Sequence, residues 1–158
     1  MKGSQLITLD FLKAHDACAE GRREFERVFP DGGEYQQVLD RCADENRMDF
    51  AQWLMNVCGP SDDVRTFDDD IDEPGKNIAF AGMLYFKKGA NVKRILAGEG
   101  IEAGWGIKAG EGIEAGCGYG IFSGLAVKIS QWPQYAVVTA KTKPDNLISG
   151  CWKELGSC

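Results

Sequence analysis

Ile95-Leu96-Ala97-Gly98-Glu99-Gly100-Ile101-Glu102-Ala103-Gly104-Trp105-Gly106-Ile107-Lys108-Ala109-Gly110-Glu111-Gly112-Ile113-Glu114-Ala115-Gly116 is the stretch that decides the fold. Within it the octapeptide Ala-Gly-Glu-Gly-Ile-Glu-Ala-Gly stands unchanged at Ala97–Gly104 and again at Ala109–Gly116. The underlying unit is six residues, apolar-x-Ala-Gly-x-Gly, opened by Ile95, Ile101, Ile107 and Ile113. A short fixed period of this kind belongs to chains wound as stacked β-coils. The Ile and Ala of each unit are two apart, so both point to one side of a strand. The Gly-x-Gly that follows offers a corner through backbone conformations closed to residues with a Cβ. The residue after each of Ile101, Ile107 and Ile113 is charged (Glu102, Lys108, Glu114) and is expected to face solvent. The variable corner positions are Glu99, Trp105, Glu111 and Cys117.

Upstream, apolar residues recur at helical spacing. Phe11, Leu12, His15, Cys18 and Ala19 make one stripe, ending at Gly21. Phe25, Val28 and Phe29 make a second, stopped by Pro30-Asp31-Gly32-Gly33; Tyr35, Val38, Leu39 and Cys42 make a third. Phe50, Trp53, Leu54 and Val57 make a fourth before Gly59-Pro60. The expectation is an α+β chain: a small helical bundle over 1–60, an acidic linker over 61–76, and a β-helix-like repeat domain over 77–158 with a C-terminal cap. Two further segments extend the β pattern. Ile121-x-Ser123-Gly124 and Val127-x-Ile129-Ser130 resume the period, and Tyr135–Ala140 reads as a strand. The tail from Ile148, with Trp152, is expected to cover the open end of the stack, where unpaired strand edges invite aggregation.

The formal charge of −6 hides a division. Residues 1–75 carry 18 acids and 8 bases, whereas 76–158 carry 6 acids and 10 bases. Such polarity bears on partner choice rather than on fold. No apolar run reaches the roughly 18–20 residues a bilayer requires, and the start, Met1 to Leu6, lacks a secretory apolar stretch. A soluble protein in the cytoplasm of a bacterial host cell is expected. The six cysteines are scattered without Cys-x-x-Cys, and packed thiols suit a reducing compartment better than a disulfide framework. Cys158, terminal, reads as a free thiol.

Candidate chemistry is thin. Gly98-x-Gly100-x-x-Ala103 matches the dinucleotide fingerprint, but so do its overlapping repeats, and no helix follows to hold a pyrophosphate. Hexapeptide repeats resemble those of left-handed β-helical acyltransferases, whose chemistry needs a general base near the coils. The single His is His15, far upstream of the repeats. His15 and Cys18 share the first apolar stripe without a third partner, so they read as packed residues rather than a catalytic pair or half a metal site. Asp68, Asp70 and Asp72 alternate as a calcium loop begins, yet Glu73 and Ala79 stand where Gly and Glu are required. Lys87, Lys88, Lys93 and Arg94 read as a basic turn or as an intramolecular counterpart to the acidic run; with only Tyr85 and Phe86 nearby and an acidic chain overall, direct nucleic-acid binding is disfavoured. No catalytic residue, metal site or cofactor is expected. The partner-binding candidates are Asp68, Asp69, Asp70, Asp72 and Glu73, with Trp105 and Tyr119 as aromatic anchors that share one outer face of the stack with Phe122 and Trp132.

The segment Phe11-Leu12-Lys13-Ala14-His15-Asp16-Ala17-Cys18, followed by Gly21, Phe25, Phe29-Pro30 and Gly32, resembles a small helical module of uncharacterised phage and bacterial proteins. The Ile-Glu-Ala-Gly-Trp-Gly-Ile-Lys-Ala-Gly run is similar to glycine-rich hexad repeats in the same kind of protein. What the resemblance implies is a phage or mobile-element origin, where small acidic proteins act as inhibitors of host defence, including anti-CRISPR proteins and DNA mimics. The function expected is non-catalytic binding to a host protein or protein–nucleic-acid complex. Self-association of the β-stack as a homo-oligomer is the competing reading.

Overall fold

The computed structural model describes residues 5–116 and 118–154, so the readings placed on Cys117 and Cys158 lie outside the described residues. Short strands β1 (Leu6–Ile7) and β2 (Gly33–Glu34) pair antiparallel and tie together four helices, α1 (Leu9–Ala14), α2 (Ala19–Val28), α3 (Tyr35–Asp44) and α4 (Met48–Cys58). Their apolar stripes meet in one core containing Leu12, Phe25, Val38, Leu39 and Leu54. Local chemistry sets the ends. Thr8 caps α1 by accepting from Phe11 N, Glu34 and Gln37 form a reciprocal capping box on α3, and Gly59 ends α4 at φ 77°.

From Val64 onward the chain winds about five times. One sheet stacks β3 (Val64–Phe67), β5 (Met83–Phe86), β7 (Ile101–Ala103), β9 (Ile121–Phe122) and β11 (Leu147–Ser149), all parallel. The other stacks β4 (Ile71–Phe80), β6 (Ala90–Ala97), β8 (Ile107–Glu114), β10 (Val137–Thr139) and β12 (Cys151–Trp152). Register shifts between Glu73 and Asn77, and between Val92 and Arg94, divide β4 and β6 into two runs each. A regular coil therefore has three β runs, one per hexad. Ile95 stacks on Ile113, eighteen positions on, and Leu84 on Ile101, seventeen on. The twelve-residue spacing of the repeated octapeptide is not a stacking period. Its two copies start on different faces of the coil.

Inside the coils Ile95, Ile101, Ile107, Ile121, Ala103 and Ala109 are fully buried. Each such isoleucine contributes roughly 1.5–3 kcal/mol by burial. The glycine corners work differently from the expectation. None of the hexad glycines from Gly98 to Gly116 has a positive φ. Several are instead needed because stacked corners nearly touch. A methyl on Gly98 would overlap the Ala81 carbonyl, and one on Gly116 the Gly98 carbonyl, whereas Gly112 faces open space.

Four further differences have physical causes. The first apolar stripe does not form one helix. α1 stops at Ala14, Asp16 sits at φ 58°, and α2 starts at Ala19 with Gly21 inside it. His15 and Cys18 are consequently exposed, not packed. The acidic segment 61–76 is no linker, because it contains β3 and the start of β4, the first coil of the stack. Asp68, Asp70 and Asp72 are met by a base and amides of the next coil, which offsets the repulsion that like charges suggested. The period does not resume at Val127, since residues 127–135 leave the stack as an excursion holding a 3₁₀ turn (Ile129–Gln131) and α5 (Trp132–Tyr135). Ile129 is accordingly 73 % exposed. Finally, the tail supplies β11 and β12 as the last coil rather than a lid over it, with Leu147 and Trp152 half-buried against the end of the core.

The helical module seals the other end. Ala79 of β4, Leu96 of β6 and Ala81, just after β4, join the helical core. Gln36 of α3 acts on the edge strand as a neighbouring strand would. Its Nε2 donates to Ala79 O at 2.9 Å and its Oε1 accepts from Ala81 N at 3.0 Å. Arg65 heads the inward column of β3, lies 4.6 Å from the Phe80 ring centroid, and pairs with Asp40 at 3.3 Å. An inward-pointing charge and a covered edge are both devices that block strand addition.

Candidate corner site

The corner between the two sheets carries most of the sequence-named residues. In the first coil it is Asp68-Asp69-Asp70, in the second Lys87-Lys88-Gly89, in the third Gly104-Trp105-Gly106. Successive coils place unlike chemistry in register. Lys87 Nζ lies 2.9 Å from Asp68, Gly89 N donates to Asp70 at 2.8 Å, and Asn91 Nδ2 donates to Asp72 at 2.8 Å. The hydrogen bond from Lys87 to Asp68, reinforced by charge, raises the Lys87 ammonium above its ordinary value. Further along, Lys93 meets Glu111 at 3.7 Å and Arg94 meets Glu114 at 3.0 Å. The basic run is thus largely an internal counterpart of acids on adjacent coils. Glu73 turns away to Lys76 at 3.4 Å, and Asp69 stays exposed at the tip.

A shallow cleft of about 340 Å³ opens beside this corner. Asp70, Asp72, Trp105, Gln134 and Tyr135 are among the residues that line it. Trp105 is 47 % and Tyr135 49 % exposed. Each of Asp70 and Asp72 commits one oxygen to the coil beneath, which fixes the carboxylates in place. Two aromatic rings beside two positioned carboxylates form a cradle for a cation on an alkyl stem, combining charge attraction with attraction to the ring faces.

Of the seven sequence-named residues, the structure gathers Asp70, Asp72 and Trp105 in the cleft, with Asp68 and Asp69 at the adjoining corner. Tyr119 is not among them. It sits on the turn after Gly116, where its amide donates to Gly116 O and its carbonyl accepts from Asn146 Nδ2 at 2.8 Å. Nor do the other aromatics share the cleft: Phe122 is half-buried, and Trp132 Nε1 donates to Gly124 O and Val127 O, pinning the excursion. Gln134 and Tyr135 were missed. Tyr135 reads in the sequence as the start of a strand, whereas it ends α5 and the strand begins at Val137.

Away from the corner, His15 Nδ1 lies 2.9 Å from Phe11 O and its ring packs 4.2 Å from the Phe11 ring. Cys18 Sγ accepts from Gly21 N at 3.3 Å as the cap of α2. Both are accounted for by helix-end chemistry. No described helix is long and apolar enough to cross a membrane.

Residues 1–58 match the family described as the YdhT N-terminal domain. The match ends at Cys58, the last residue of α4, so the similarity covers the helical module and stops short of the coils. No curated protein and no solved structure matches the chain.

Proposed function

We propose that this chain is a non-catalytic binding module whose corner cleft takes a Lys or Arg side chain of a basic partner protein. The observation that carries the reading is the convergence of Asp70, Asp72, Trp105 and Tyr135 on one cleft. Anchoring by an aromatic-lined pocket with a charged rim is a common source of binding energy in protein interfaces. The partner we favour is a nucleic-acid-handling defence complex of a bacterial host, the target class that the resemblance of the sequence implies for an anti-CRISPR-like or DNA-mimic inhibitor. Since Asp68 and Asp70 are already engaged within the chain, the cleft supports this reading better than a bare row of phosphate-like charges would.

The test is capture from a bacterial host lysate by the immobilised chain, followed by titration of the recovered partner. Trp105→Ala and the charge reversals Asp69→Lys and Asp72→Lys should each weaken affinity about tenfold or more, and the reversals should flatten its dependence on salt. Affinity unchanged in all three variants would remove the cleft from consideration.

A second reading, self-association, is favoured by one feature. Among the described residues, β11 and β12 are each paired on one side, leaving the far edge of the last coil without a strand neighbour. Recovery of the bait alone, with a concentration-dependent larger species in sedimentation, would decide for it.

A further inference from the structure

Within the helical module α2 packs chiefly on α1, and between α2 and the α3–α4 pair lies an apolar cavity of about 340 Å³. Phe25, Phe29, Val38, Phe50, Trp53 and Leu54 form its walls. Two chains of ion pairs cross the rim. Arg47 joins Glu20 (3.0 Å) and Asp49 (3.1 Å), and Arg27 joins Glu24 (2.8 Å) and Glu45 (3.4 Å), which Arg41 also reaches at 3.0 Å. Arg47 spans the mouth with its guanidinium 4.0 Å from the Phe50 ring centroid. These contacts tie α2 to the turn between α3 and α4 across the mouth of the cavity.

An apolar space of this size denies its walls their dispersion contacts, and cavities of about 150 Å³ with similar walls take up benzene. The charged residues lining the space are Asp16, Glu24, Glu45 and Asp49 against Arg41 and Arg47, a surplus of two negative charges at the mouth. Arg41 and Arg47 pair with Glu45 and Asp49, and Glu24 pairs with Arg27 beside the rim, so the surplus is the net charge of a paired rim. Arg27 holds the Glu24 carboxyl below its ordinary value, so that charge persists in mildly acidic solution.

We propose that this cavity is a binding site for a small organic cation with an apolar ring body. The ring would be seated against Phe25, Phe50 and Trp53, with the ammonium group at the carboxylate-rich mouth. The site involves the helical module alone and does not depend on the corner cleft.

The experiment is calorimetric titration of the full chain with three probes of matched shape: phenethylamine, ethylbenzene and 3-phenylpropionate. Phenethylamine should bind with Kd of about 10⁻⁴–10⁻³ M, the range for a ligand of its size. The neutral probe should bind more weakly, and the anion at least about tenfold more weakly than the cation at low salt. Two variants localise the site. Cys42→Leu, which adds volume at a lining position, should abolish binding and raise Tm. The rim pair Glu45→Gln and Asp49→Asn leaves the walls intact and should erase the preference for the cation while retaining the neutral probe. No binding by any probe, equal binding of cation and anion, or binding unaffected by Cys42→Leu would each overturn the proposal.

Discussion

The coils and the helices fill space in opposite ways. In the coils, columns of isoleucine and alanine are fully buried and the corners approach so closely that one methyl at Gly98 has no room. In the helical module, ion pairs from α2 cross the mouth of a cavity large enough for a ring. Repetition explains the first. When coil stacks on like coil, every rung fits the next by construction, and the interior reaches the density of a crystal. The helices have no such repeat, so their fit depends on each pair of faces separately. One region is built to hold a shape and the other has room to receive something.

The contrast can be broken from either side. The largest effect is expected from Ile101→Ala, which empties one rung and should cost about 2–5 kcal/mol in urea denaturation. Leu54→Ala, at a wall that already borders empty space, should fall at or below the bottom of that range. Equal losses at the two sites would erase the distinction. Next, Gly98→Ala should cost about 1–3 kcal/mol by overpacking, while Gly112→Ala, where nothing stands in the way, should stabilise by about 0.4–1 kcal/mol. The pair differ by one methyl in the same repeat, and opposite signs are the expected result.

Alkaline pH should sharpen the contrast further. Burial pushes the half-buried Cys42 thiol up to about 12 from its ordinary 9.0, and burial likewise raises Tyr35, whose hydroxyl donates to Gly59 O at 2.8 Å. Both groups are neutral when protonated, and the folded state favours that form. Their contribution is intact below the unfolded-chain values of 9.0 and 10.0 and is lost as pH rises above them. Urea midpoints should therefore fall from pH 9 upward, and Cys42→Ala should remove the first part of that fall. Hydrogen exchange should report the loss in α3 and α4 ahead of β6 and β8. The smallest effect is expected at the corner. Lys87→Ala breaks an exposed ion pair, and its denaturation midpoint should match that of the parent chain within error.

Much of this architecture was legible in the residues. The Ile–Ala spacing indicated inward rungs, and the stripes beginning at Tyr35 and Phe50 indicated α3 and α4. What escaped depends on long-range pairing. The acidic run read as a linker because a bare sequence shows repulsion among Asp68, Asp69, Asp70 and Asp72 without the partners supplied nineteen residues later by Lys87, Gly89 and Asn91. His15 and Cys18 fit a helical stripe until Asp16 at φ 58° broke it. Leu96 was an unused signal. It is the apolar member of a series otherwise charged at Glu102, Lys108 and Glu114, and it marks where the helices dock. The corner cleft was half legible. Asp70, Asp72 and Trp105 could be named from the sequence, but Tyr135 joins them only because the excursion over 127–135 carries α5 back to the corner.

The central claim is that three β runs make one coil and that like positions of the regular coils stack seventeen to twenty residues apart. Nuclear Overhauser contacts between isoleucine methyls in otherwise deuterated protein test it most directly. The account predicts cross-peaks joining Ile95 to Ile113 and Ile101 to Ile121. A pattern that instead joined residues twelve apart, Ile95 to Ile107 and Ile101 to Ile113, with neither predicted peak, would contradict it.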